Sequence, residues 1–160
     1  MVPLIVLIIV TLLARFAGRL GVVALGNWVA ATRVGLAVML CFTAAAHFNS
    51  MRADLVRMVP PSLPNPELMV TFTGVCEIAG AIGLLIPQTR RLAAAALVVF
   101  LIAVLPANIH AARAGVTLGG ASTTALLPRI AIQVLFIALV WWAGWRRHDQ
   151  TARFKPGLRQ

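Results

Sequence analysis

A chain of 160 residues that is 61% hydrophobic and only 11% charged has too little polar surface to cover its apolar side chains, which excludes a soluble globular fold. An all-α, polytopic membrane protein is expected instead. The net charge of +10 does not indicate nucleic acid, because the arginines stand singly or in pairs at the ends of apolar runs. Membrane lipids are the expected partners of these cations, and no nucleic acid partner is expected.

In chain order, the first apolar run covers residues 2–14 and is short. It reaches spanning length by continuing through Arg15 and Phe16 to about residue 20, with the arginine side chains snorkelling to the interface. No basic residue precedes this run and no small-x-small cleavage site follows it before Arg15, so it is expected to be retained rather than removed as a signal. Four further runs, at residues 29–48, 66–86, 92–112 and 128–145, are each long enough to cross ~30 Å of hydrocarbon. Pro66, Pro87 and Pro128 mark their boundaries, where a missing N–H is tolerated or a helix must stop.

The expected architecture is a four-helix membrane bundle over residues 29–146, preceded by an N-terminal hydrophobic helix and basic link in 1–28 and followed by a basic tail in 147–160. With five spans, Arg15, Arg19, Arg33, Arg90, Arg91 and the basic tail fall on one side, and Arg52, Arg57, Arg113 and Arg129 on the other. The positive-inside rule then places the C-terminus in the cytoplasm and the N-terminus outside the cell membrane.

The loop at 49–65 is the longest. Met51, Leu55, Met58 and Val59 share one helical face with Arg52 and Arg57 elsewhere, the pattern of a short helix in the headgroup region. Prolines 60, 61, 64 and 66 then stiffen the return to the membrane. This segment reads either as a spacer on the lipid surface or as a lid over a site that opens outward.

Glu77 stands near the middle of the third run among apolar and small residues. A charge at that depth costs roughly 2.5–3.5 kcal/mol, so a carboxyl kept there needs a partner, a proton or a task. Thr73, Gly74, Gly80 and Ala81 lie on its helical face, and Cys76 with Gly80 and Ala79 with Gly83 form small-xxx-small pairs. Glu77 should therefore face a neighbouring helix, either as a proton relay or ligand contact or as interhelical glue. His47, one turn beyond Thr43, joins it as the second candidate catalytic residue.

Asn108 follows Pro106, which should kink its helix and free a carbonyl near Ile102. Arg129 and Gln133 sit one turn apart on the last run. These three are the candidate ligand-binding residues, and with His47 and Glu77 they would line one outward-facing pocket with apolar walls. His110 projects about 200° away from Asn108 and is the weaker candidate. Cys41 and Cys76 lack CxxC spacing and read as buried, inert thiols, while no metal-ligand spacing is present. The lack of a P-loop, a dinucleotide fingerprint and a nucleophile elbow disfavours nucleotide-dependent and hydrolytic enzymes.

The runs Ala46-His47-Phe48, Met58-Val59-Pro60-Pro61-Ser62-Leu63-Pro64, the stretch from Thr73 through Glu77 to Pro87, and Leu105-Pro106-Ala107-Asn108-Ile109-His110-Ala111-Ala112 together resemble the DoxX-like family of small integral membrane proteins. The resemblance covers roughly residues 30–146. It implies a four-helix core, to which the N-terminal helix would be an addition. Some relatives are associated with thiosulfate:quinone oxidoreductase or with membrane redox complexes. A membrane subunit or accessory protein that contacts a quinone or another lipophilic molecule in a redox-linked process is thus expected, with Glu77 and His47 handling protons. A membrane or redox protein would be its partner, and the resemblance assigns no reaction to the chain itself. The alternatives are a small-molecule or lipid carrier, which without an internal repeat would need a homo-oligomer, and a structural or assembly factor for a membrane complex.

Overall fold

The computed structural model describes residues 2–122 and 125–146. Its elements are α1 (Val2–Arg19), α2 (Trp28–Ala45) continued by a 3-10 turn (Ala46–Phe48), α3 (Arg52–Met58), α4 (Pro66–Leu85), α5 (Arg90–Ala103), α6 (Leu105–Ala114) and α7 (Leu126–Trp145). A hairpin of β1 (Thr117–Leu118) and β2 (Ala121–Ser122) joins α6 to α7. Five stretches, Val2–Arg19, Trp28–Phe48, Pro66–Leu85, Arg90–Ala114 and Leu126–Trp145, are long and apolar enough to cross a membrane, as a multi-pass protein requires. They coincide with the five runs expected from sequence, and the fourth is broken at Val104, beside Pro106.

The helices α2, α4, α5 and α7 close into a ring, with α1 packed on the outside of α2. Leu36, Leu40, Leu84, Leu97 and Val140 fill its centre. Large apolar side chains such as Ile5, Phe72, Leu92, Val99 and Val134 point outward instead, which suits hydrocarbon and not water. Small residues set the helix separations. Gly35 meets Thr11 of α1, Gly83 meets Ala93 of α5, and Gly144 of α7 meets Ala94 of α5. At Gly80 an added Cβ would lie 2.7 Å from Leu97 Cγ, so any side chain there must displace the buried Leu97 of α5. Gly80→Leu should therefore lower the yield of folded protein and its melting temperature in detergent, at an overpacking cost of about 1–3 kcal/mol. Unchanged thermal stability would show that α5 moves aside freely.

Arginines complete several helix ends. At the end of α4, the Ile82 carbonyl accepts from Ile86 N–H, that of Gly83 from Thr89 Oγ1, and those of Leu84 and Leu85 from the Arg90 guanidinium. No carbonyl of that last turn is left for the hydrocarbon to desolvate. Arg33, expected among the boundary cations, lies inside α2 and is 3% exposed. Its Nε donates to Ala143 O at 2.8 Å and its Nη2 to Arg146 O at 2.5 Å, so it caps α7. A cation suits that position because the C-terminal end of a helix carries partial negative charge.

At the opposite end of the bundle, α3 forms as expected, but it packs against α4, α6 and β1 and is not a free spacer on lipid. Asp54 Oδ2 accepts from Gly119 N–H at 2.7 Å and a second oxygen accepts from Arg57. The hairpin turns at Gly119-Gly120, its sequence signal, and both residues have positive φ, at 59° and 79°.

Candidate functional site

The 3-10 turn at the end of α2 lays His47 directly on α4. Gly74 permits this approach, since a Cβ there would lie 2.7 Å from His47 Cβ. His47 Nδ1 lies 2.7 Å from Val70 O, and Thr73 Oγ1 lies 3.3 Å from the same nitrogen. A carbonyl oxygen only accepts, so Nδ1 carries the proton and Nε2 of the neutral ring offers a lone pair. That nitrogen faces Glu77 Oε2 at 3.9 Å.

The separation is too long for a direct hydrogen bond and short enough for one small atom or a slight movement to bridge. Among the described residues Glu77 Oε2 is buried without a hydrogen-bond partner, while the Thr43 hydroxyl adjoins the carboxyl. The side chains of His47 and Glu77 are 12% and 13% exposed, so neither is fully sealed inside the bundle. Two groups able to exchange protons thus stand side by side at the seam between α2 and α4.

Arg52, read in the sequence only as a charge on the polar side of α3, fixes this seam. Its guanidinium donates to His47 O at 3.1 Å, Glu67 O at 3.0 Å and Thr71 Oγ1 at 2.9 Å. It therefore ties the end of α2 to the first turns of α4. Nothing in local sequence marks it, because its acceptors are 5, 15 and 19 residues away.

Asn108, Arg129 and Gln133 form a separate network between α5, α6 and α7. Arg129 Nη1 donates to Asn108 Oδ1 at 3.0 Å, and the buried Gln133 donates through Nε2 to Leu101 O at 2.7 Å. The kink at Pro106 leaves a carbonyl to be captured, as expected, but it is that of Leu101, one residue before Ile102. Among the described residues, no hydrogen bond or ion pair joins this network to His47 or Glu77. The residues expected to line one pocket make their polar contacts in two places, His47 and Glu77 between α2 and α4, and Asn108, Arg129 and Gln133 between α5, α6 and α7. Two clefts lie elsewhere: one between α1, α2 and α7, lined by Leu7, Thr11, Thr32 and Leu139, and one where α1 meets Trp28.

The thiols differ from expectation as well. Cys41 is exposed on the outer side of α2 and Cys76 is half-buried; both are free. Among the described residues, no three His, Cys, Asp or Glu side chains converge as a metal ion requires. A family model described as a domain of unknown function, DUF8561, matches residues 36–144, well over half of the chain, and so includes both polar groups but not α1. No curated protein and no solved structure matches the chain.

Proposed function

The chain belongs to the DUF8561 family, a membership that carries no activity with it, and on that premise we propose a small integral membrane subunit or accessory protein whose His47–Glu77 pair handles protons for a quinone or similar lipophilic molecule. The observation that carries this reading is the unpartnered, buried Glu77 Oε2 beside an imidazole whose tautomer leaves Nε2 as an acceptor. A buried oxygen without a partner is a polar group waiting for a donor. A quinone takes up two protons with two electrons, and in this reading a partner protein supplies the electrons and the pair supplies protons. The narrow exposure of both side chains on the bundle exterior suits a ligand that arrives through the lipid phase.

The DoxX-like resemblance belongs to the same proposal, with α2, α4, α5–α6 and α7 as a four-helix core and α1 as an addition outside the matched region. So does the orientation, with residues 146–160 cytoplasmic and 49–65 outside. Cysteine labelling in intact cells tests the orientation. A residue placed at Asn65 should react with an impermeant thiol reagent and one at Gln150 should not, and the reverse pattern would overturn it.

A second reading, an assembly factor, draws on the other polar group: Arg129 donates to Asn108 and Gln133 to the Leu101 carbonyl, so these side chains tie α5, α6 and α7 together. Extraction of lipids from the gently purified protein separates the two readings. Enrichment of quinone over the bulk membrane supports the first, whereas a stoichiometric protein partner with no enriched small molecule favours the second.

A further inference from the structure

We propose that the cleft between the C-terminal half of α1 and Trp28 is a binding site for one anionic phospholipid. Leu12, Arg15, Phe16 and Arg19 stand at i, i+3, i+4 and i+7, so one stripe of α1 carries two cations among apolar side chains. Trp28, at the start of α2, forms the facing wall. The Arg15 guanidinium lies over its indole, 5.7 Å from the ring centroid. Among the described residues Arg15 Nε is buried without an acceptor, so a ligand oxygen pairs with it once the guanidinium turns into the cleft. A phosphodiester oxygen is an acceptor of the right charge for that donor, with Arg19 as a second cation beside it.

The rest of the cleft suits an acyl chain. Leu12, Leu13 and Phe16 are 53%, 61% and 58% exposed and run from the arginines towards the middle of α1. The charge at this end of the bundle also favours an anionic lipid. Arg15, Arg19, Arg33, Arg90, Arg91 and Arg146 gather there, while the described carboxylates Asp54 and Glu67 lie at the other end and Glu77 at mid-bundle. Arg33 and Arg90 are occupied by helix carbonyls, and of the other four, Arg15 and Arg19 are the two that line the cleft.

The test is a native mass-spectrometric titration of the full chain in detergent with phosphatidylglycerol and phosphatidylcholine bearing the same acyl chains. One tightly retained phosphatidylglycerol and weaker phosphatidylcholine binding are expected. Losing both cations, in Arg15→Gln with Arg19→Gln, should weaken phosphatidylglycerol binding about thirty-fold, whereas Arg113→Gln at the other end should leave it unchanged. If the double variant does not elute as folded protein, Arg19→Gln alone should still weaken binding about fivefold. Equal affinity for the two lipids, or wild-type affinity in the arginine variants, would overturn the site. Displacement of the lipid by millimolar inorganic phosphate would also overturn it, by identifying a free-anion site that makes no use of the acyl chain.

Discussion

Glu77→Gln is expected to yield a folded protein that has lost quinone binding and any partner-linked activity. The substitution preserves size and hydrogen-bonding capacity but removes the ability to gain or lose a proton. An amide at position 77 can still adjoin Thr43 and can donate to the lone pair of His47 Nε2, so the seam between α2 and α4 should hold. Interhelical hydrogen bonds in membranes average only ~0.6 kcal/mol, too little for the exchange to unfold the bundle. His47→Gln should behave in the same way, because it keeps a polar group near Val70 O but lacks the second, proton-accepting nitrogen. Glu77→Leu decides nothing, since it removes the hydrogen bond and the ionisable group together. The folded state is read from the size-exclusion profile and function from quinone binding. Wild-type binding by both glutamine variants would leave the pair as interhelical glue and put the assembly reading in front.

Arg33→Met should strongly destabilise the bundle. The long apolar side chain fills the same space, but Ala143 O and Arg146 O each lose a charge-assisted donor. Such bonds contribute roughly 1.5–3 kcal/mol each, and Arg146 is exposed enough for its carbonyl to turn to water. The net loss should thus be about 2–4 kcal/mol. It should appear as a clear fall in melting temperature in detergent. Arg33→Lys should recover part of it, because a point charge without the planar fork serves one carbonyl better than two. A melting temperature in Arg33→Met equal to that of the wild type would mean that α7 does not depend on this cap.

The helices themselves were legible because hydrocarbon thickness dictates long apolar runs, and each run matches a helix to within a few residues. Helix ends and contacts between distant segments were not. Arg33 reads locally as one more charge near a membrane boundary, and only the approach of Ala143, 110 residues away, turns it into a buried cap. The same is true of the site. His47 and Glu77 each stood out as polar groups in apolar runs, yet their pairing depends on Gly74 letting the end of α2 settle on α4. Asn108, Arg129 and Gln133 stood out for the same reason but turned to one another and to the kink at Pro106. Isolated polar residues in a membrane sequence therefore identify which groups need partners, while the helix arrangement decides who those partners are.

The pairing of His47 and Glu77 in one proton-handling site is tested most directly by infrared difference spectroscopy as a soluble quinone is added to protein carrying carbon-13 glutamate. The label reports on Glu67 and Glu77 alone, the two glutamates of the chain. The predicted result is a glutamate carboxyl band that changes on quinone binding, is absent from Glu77→Gln and is altered in His47→Gln. Quinone binding with no change in that band, or the same change in the Glu77→Gln protein, would contradict it.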